Sequence, residues 1–555
     1  MADLSKYPKE IFNIIVDCLV VKIGIYKAMN IRTTSRSFND AILDAICIRQ
    51  VVDINDRATP GLCRVMPSAL IGKIFLVNSL SPKAADDDFL TVIANVNSEL
   101  DALTGETDPS VLRSWHQAVA ETVGSVDQGT VISRKMRSYD SKWAAQNLLS
   151  GAIVTGNLHA VRSLLEGEKT QSSTTTLLDV NGATPYFGRP LTLAAGWGHF
   201  ELVRYLLEHG ARCDIICSCR NYTEDEDWEA GEENKDFAPR DGAFNFNWEV
   251  RFENRHPATA GSALRAACLG GYVDIVRILL QQKRQLKSSK REFLAAVVAA
   301  VKFGTSLVQM LLGATGSSLS DYPGLKEEML WDAVRYDEKG VVQMLIDHGV
   351  DIISSPGPGR NSCAGALQCA AAMGHASMVH FLLERGANVN QYSSRDQEHF
   401  PVEAAARCGQ VNTVEILLDH GADPILALRR ATSQGQVGVM KYLLNRFPDL
   451  LDRDYAGVGR RGAVGRYMLW NAITRKNLAA IDILVEGGVS LTEDFAEDET
   501  LHPVKLAKQG MGQYVLDHLL SIGAQDTEDA IEPEMKPTVT GVRVDERTWE
   551  WAGKY

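Results

Sequence analysis

GRPLTLAAGWGHFELVRYLLEHGA, residues 188–211, decides the architecture. Pro190 suits the first turn of a helix, because the N–H it lacks would have no partner there anyway. Leu191, Ala194 and Ala195 give that helix a small-residue face, so a neighbouring helix can come close. Gly196, Gly198 and His199 interrupt it, and Leu202, Val203, Leu206 and Leu207 then recur at helical spacing. Gly210 closes the second helix where a left-handed residue is wanted. One such helix pair cannot bury its apolar face alone, so the stretch predicts neighbours of the same kind.

The neighbours are present from about residue 141 to residue 524. A degraded first copy breaks at Gly156-Asn157 and continues with Val161, Leu164 and Leu165. A third has Ala266-Ala267, Gly270-Gly271 and Leu279-Leu280; a fourth has Ala299-Ala300, Gly304 and Leu311-Leu312. The fifth is diverged, with Ala333, a break read at Lys339-Gly340, and Leu345-Ile346. The sixth has Ala371-Ala372, Gly374-His375 and Leu382-Leu383; the seventh has Ala404-Ala405-Ala406, Gly409 and Leu417-Leu418. The eighth carries Ala431, Gly435 and Leu443-Leu444, the ninth Asn471-Ala472 and Lys476-Asn477, and the tenth Leu506-Ala507, Gly510 and Leu519-Leu520. The unit resembles an ankyrin repeat, whose pattern runs TPLH-x-A-A-x-x-G-H…V-x-x-LL-x-x-GA, with Arg189-Pro190-Leu191-Thr192 standing where T-P-L-H is usual. The resemblance implies an all-α ankyrin-repeat solenoid of about ten repeats, whose concave face of fingers and inner helices binds proteins. On that reading the histidines His199 and His375 are structural, because they recur with the break.

At 555 residues the chain is too long for one compact core unless it is built of stacked repeats. Its net charge of −13 argues against a broad surface for nucleic acid, which is basic. The ten cysteines are scattered, several among alanines and leucines, and are expected to be reduced, buried thiols. The start, MADLSKYPKE, does not read as a signal peptide. The apolar run from Ile11 to Tyr26 is interrupted by Asp17 and Lys22 and is shorter than the ~20 residues of a membrane span. Cytoplasm or nucleus is the expected location, with no membrane contact.

Residues 1–52 read as a small helical head. Pro8 opens a helix with an apolar stripe of Ile11, Ile14, Ile15, Cys18 and Leu19. A second helical stretch carries Ile25, Ala28, Met29 and Ile31, and a third Phe38, Ala41, Ile42 and Ala45. The frame Tyr7-Pro8-Lys9-Glu10-Ile11, then Ile15 and Leu19, then Thr34-Ser35-Arg36-Ser37-Phe38, resembles an F-box, particularly the F-box-like heads of fungal ankyrin proteins. That resemblance implies docking to the small adaptor that links F-boxes to a cullin ubiquitin ligase, through Pro8, Ile11, Ile15 and Leu19. The alternative is a helical cap that shields the first repeats. An exposed stripe on the first helix favours docking; burial of that stripe against residues 60–120 favours the cap.

Residues 53–140 read as a helical connection without a repeat frame, helical over Leu62–Leu80, Phe89–Leu103 and Trp115–Val123 and in part loosely packed. An insertion of about residues 214–258 follows the second repeat. Its first half is densely acidic. Its second half alternates Phe244, Phe246, Trp248, Val250 and Phe252 with polar residues, which reads as a strand with one aromatic face. Phe244, Phe246, Trp248 and Phe252 are the candidate partner contacts there, against a finger folded onto its own repeats. The tail, 525–555, is acidic with aromatic residues Trp549 and Trp551 near its end, which are expected to dock on the last repeat.

No cofactor, metal or catalytic set is expected. Cys213, Cys217 and Cys219 with His209 and His256 lack the paired spacing of a zinc knuckle. The basic run Lys283 to Arg291 reads as a solvated loop in preference to an import signal, and the Gly- and Pro-rich residues 354–360 as a loop rather than a phosphate cradle. Two functions remain: a receptor that links ankyrin-bound clients to a ubiquitin ligase, or a transcription co-regulator, for example of fungal secondary-metabolite genes, that binds a transcription factor. Neither is an enzyme.

Overall fold

The computed structural model describes residues 8–31, 36–49, 51, 67–81, 88–125, 143–167, 178–213, 256–259, 261–282, 290–316, 318–319, 322, 324–352, 365–391, 400–454, 463–492, 502–508 and 512–525. Those residues form α-helices and short 3-10 turns, with one isolated bridge between Thr184 and Gly188 and no strand. The chain divides into two compact units, Met1–Leu325 and Lys326–Tyr555.

The first unit begins with α1 (Lys9–Ile31) and α2 (Arg36–Cys47), followed by α3 (Ser68–Ser79), α4 (Asp88–Thr104) and α5 (Pro109–Ser125). The sequence divides the segment of α1 into two helices; the structure runs it as one. Nothing between Leu19 and Ile25 stops a helix: there is no proline, and Gly24 costs only about 1 kcal/mol relative to alanine. Val16, Val20 and Ala28 are buried on one continuous face, which carries the helix through. α1 packs on α2 and α2 on α3. The Arg49 guanidinium grips the Asp17 carboxylate through Nε and a terminal nitrogen at 2.9 and 2.7 Å, fixing α1 against α2. α3, α4 and α5 share a core of Ile71, Phe75, Val92, Ile93, Val119 and Val123. α4 and α5 also pack on the first helix of the first repeat, so this connection is part of the stack rather than a tether.

Helix pairs follow. In the first unit they are α6 (Ala144–Val154) with α7 (Leu158–Gly167), α8 (Pro190–Gly196) with α9 (Phe200–Glu208), α10 (Ala263–Gly270) with α11 (Val273–Leu280), and α12 (Lys290–Ala300) with α13 (Thr305–Thr315). The second unit, whose boundary falls after the first residue of α14 (Leu325–Arg335), holds the rest of that helix with α15 (Lys339–Asp347), α16 (Ala366–Met373) with α17 (Ala376–Glu384), and α18 (Pro401–Arg407) with α19 (Val411–Asp419). It continues with α20 (Pro424–Gln434) and α21 (Val437–Arg446), α22 (Ala463–Thr474) and α23 (Leu478–Glu486), and α24 (Pro503–Lys508) and α25 (Gln513–Ser521).

Within each unit the first helices of successive pairs pack on one another as an inner layer, and the second helices as an outer layer. Composition sets which helix goes where. Inner helices such as α8 and α18 are Ala-rich and buried almost all round, because they touch neighbours on both sides. Outer helices such as α9 bury one stripe, Leu202, Val203, Tyr205 and Leu206, and leave the rest to solvent.

Between the two helices of most described pairs one residue takes the left-handed conformation. At Gly198 (φ +77°) an added Cβ would lie 2.5 Å from the Tyr272 ring of the next repeat, so both the backbone and the packing require glycine. The following residue reaches back to the preceding repeat. His199 Nε2 lies 3.0 Å from the Val154 carbonyl, His375 Nε2 2.7 Å from that of Arg335, and Gln436 Nε2 donates to that of Arg407 at 2.8 Å. These carbonyls end inner helices and lack intrahelical partners, so at these breaks the later repeat caps the one before it.

Two breaks use other residues: Asp337 and Lys476 both have φ 59°. The fifth repeat therefore turns at Asp337-Glu338, and not at Lys339-Gly340, which lie in the first turn of α15. Aspartate tolerates the left-handed region better than most residues, whereas lysine there is strained. Replacing Lys476→Gly is expected to raise stability by about 1 kcal/mol, and Gly198→Ala to lower it by about 2 kcal/mol or more, both read by urea denaturation of the intact chain.

Candidate protein-binding surface

The residue just before each break sits at the same register on every inner helix, at the helix end where the backbone turns outward. Its surroundings differ between repeats. In the second repeat that residue is Trp197. Its indole N–H donates to Thr122 Oγ1 of α5 at 3.0 Å, and its ring stacks on His256 with centroids 3.9 Å apart. Beside it, a Cβ on Gly196 would lie 2.3 Å from the Ala258 backbone. The base of the insertion and α5 therefore cover this part of the inner layer from within the unit.

Burial, and then the neighbouring His199, hold the His256 imidazole down to about 4. Burial also lowers His199, against the opposing effect of its bond to Val154. Both rings are neutral at pH 7.

In the second unit the same register reads Tyr336, Met373, Cys408, Gln434 and Arg475, and all five are exposed. Tyr336 is 37% and Met373 46% exposed. Behind this strip Glu403 is fully buried in α18, bonded to Arg429 and 3.6 Å from Arg430, both of α20. A carboxylate and two guanidiniums thus link adjacent inner helices and leave an excess of positive charge there.

The head presents a different surface. Pro8 is exposed, Ile11 is 46% exposed, and Ile15 and Leu19 are half-buried. Ile14 and Val21, each 61% exposed, continue the outer stripe with Cys18. The open face is thus Ile11, Ile14, Cys18 and Val21, one helical position away from part of the set read in the sequence. Phe244, Phe246, Trp248 and Phe252 lie outside the described residues, as do Cys217, Cys219, Lys283, residues 354–360, Trp549 and Trp551. Cys213 is a buried free thiol, and among the described residues no three His, Cys, Asp or Glu side chains group to hold a metal. Among those residues no helix is long and apolar enough to cross a membrane.

The ankyrin-repeat family matches this chain as three-copy blocks over residues 297–393 and 330–427, and as a single repeat over residues 189–218. The chain contains ankyrin repeats. It is also similar to an ankyrin repeat and KH domain-containing protein, mask-1, of Caenorhabditis elegans, with 26% identity over 240 residues. The match covers 43% of this chain and 9% of that relative. Ankyrin repeats are in general interaction modules that bind protein partners, which fits an all-α stack with an exposed inner strip.

The strip Tyr336 to Arg475 escaped the sequence reading because it is defined by register to the break, and two of the breaks are not glycine. Its signal is present once Asp337 and Lys476 are aligned with Gly374, Gly409 and Gly435.

The histidine pair makes a pH prediction. Below about pH 6.5 the unfolded chain takes up protons that folded His256 and His199 refuse. Stability is therefore full above that pH and falls as pH drops towards about 4. Urea unfolding at pH 7 and pH 4.5 is expected to show this loss, on the order of 2 kcal/mol for His256, and a His256→Gln variant is expected to show less of it.

Proposed function

We propose that this chain is a non-catalytic interaction scaffold whose repeats capture a client protein and whose head docks an F-box adaptor, bringing the client to a cullin-linked ubiquitin ligase in the cytoplasm or nucleus. The observation that carries the docking half is the open face of α1. The Asp17–Arg49 pair, at the edge of the stripe, and the packing of Phe12 near Phe38 on the far side, with ring centroids 6.4 Å apart, hold α1 on α2. Ile11, Ile14 and Val21 are left in solvent at spacings of three and seven residues, which is one helical face. A helix that buried this stripe on residues 60–120 would read as a cap; among the described residues α1 instead packs on α2. A row of apolar side chains on one helix face is the geometry by which helical proteins seat a partner helix.

The test is co-purification. The intact chain is expected to bring down the adaptor that joins F-boxes to cullins, and an Ile11→Asp, Ile14→Asp variant to lose it by at least about tenfold. Both positions are exposed, so the variant keeps the helical circular-dichroism signal of the parent. No adaptor on the intact chain refutes the ligase reading and leaves the head without that partner.

A further inference from the structure

From α18 to α23 the charges are sorted by layer, whereas the earlier inner helix α14 with its break is acidic, carrying Glu327, Glu328, Asp332, Asp337 and Glu338 against Lys326 and Arg335. The inner helices α18, α20 and α22 with their breaks carry Arg407, Arg429, Arg430, Arg466, Arg475 and Lys476, against the single buried carboxylate Glu403. The outer helices α19, α21 and α23 carry Glu415, Asp419, Asp482 and Glu486 against Lys441 and Arg446. In a chain of net charge −13 this basic layer stands out, and the exposed strip runs along it. The strip is graded as well: Tyr336 and Met373 make one end apolar, with the carboxylates of Asp332, Asp337 and Glu338 beside Tyr336, and Arg475 makes the other end positive, so the acidic part of a ligand is directed away from Tyr336.

We propose that the strip from Tyr336 to Arg475 seats an extended acidic segment of a partner protein, with its apolar residues on Tyr336 and Met373 and its carboxylates over α18, α20 and α22. This rests on the interaction reading above and names the chemistry of the partner. The strip spans four steps between packed helices, each about 10 Å. An extended chain rises about 3.3 Å per residue, so about twelve residues cover it. Arg407, Arg429, Arg466 and Arg475 have neighbours within the chain. The surface acts through its summed charge, which steers and orients an acidic partner, and not through an unpaired cation. Nucleic acid is the poorer fit, because the acidic outer layer and the net charge repel a ligand with a phosphate at every step.

The test uses the full chain and a fluorescein-labelled peptide of about fourteen residues, two leucines followed by alternating acidic residues and serine, read by fluorescence anisotropy. Saturable binding is expected, with at least about tenfold loss in an Arg407→Gln, Arg475→Glu variant. A Lys441→Glu, Arg446→Gln variant changes the net charge equally on the outer layer and is expected to stay within about twofold of the parent. If the inner variant loses helical signal, Arg475→Glu alone, at an exposed position past the end of α22, is expected to weaken binding by at least about threefold. The Ile11→Asp, Ile14→Asp variant is expected to bind the peptide like the parent, so failure of the ligase reading and failure of this one are distinguishable. No binding, equal loss from both layers, equal affinity for a peptide with Gln and Asn in place of its acids, or tighter binding of a DNA duplex of matching length overturns the proposal.

Discussion

The bond that the residue after the break sends to the last carbonyls of the preceding inner helix, made by His199, His375, Gln410, Gln436 and Asn477, is the contact on which the stacking of those repeats depends. Each inner helix is too short to stand alone; α18 has seven residues, fewer than isolated helices need. Its terminal carbonyls need a donor, and its buried faces need neighbours. His199, His375, Gln410 and Gln436 provide the donor from the next repeat. The left-handed break places them there: without it the chain would not turn back in time for the side chain to reach the carbonyl. Stability is thereby a matter of nearest neighbours, as expected for stacked repeats.

The same register fixes where function can reside. Because the inner helix ends where the chain turns outward, the residue before the break is brought to the edge of the inner layer. In the second repeat this site is spent on Trp197, which closes on Thr122 and His256. In the second unit it is left to solvent, and the residues found there are a mixture of aromatic, thioether, thiol, amide and guanidinium. Their side chains are exposed at one register, which is the basis of the proposed docking strip.

Much of this was legible in the sequence. The small-residue helix, the glycine break and the Leu-Leu helix were readable because each follows from a backbone or packing requirement that few residues meet. The structural role of His199 and His375 followed from their recurrence beside the break. What the sequence hid has specific causes. Asp337 and Lys476 occupy the left-handed position without being glycine, which moved the fifth break and masked the strip. α1 runs straight through a stretch whose continuity depends on burial of Val16, Val20 and Ala28, a tertiary fact. The cover over Trp197 joins residues 75 apart in the chain, and no local pattern announces such a contact. Ile15 and Leu19 belong to the apolar stripe that the sequence shows on α1, yet they are half-buried, and the exposed side of the helix centres on Ile14, which periodicity alone does not distinguish.

The most direct measurement of the account is hydrogen–deuterium exchange of the intact chain beside a Gln410→Ala, Gln436→Ala variant. If the caps couple neighbouring repeats, exchange accelerates on both sides of each lost bond, in α16, α18 and the first turns of α19 and α21, while α3 to α5 keep the protection of the parent. Protection that is unchanged throughout, or lost only within the two substituted turns, would contradict it: the repeats would then be held by apolar packing alone, and the break would be a turn without a joining role.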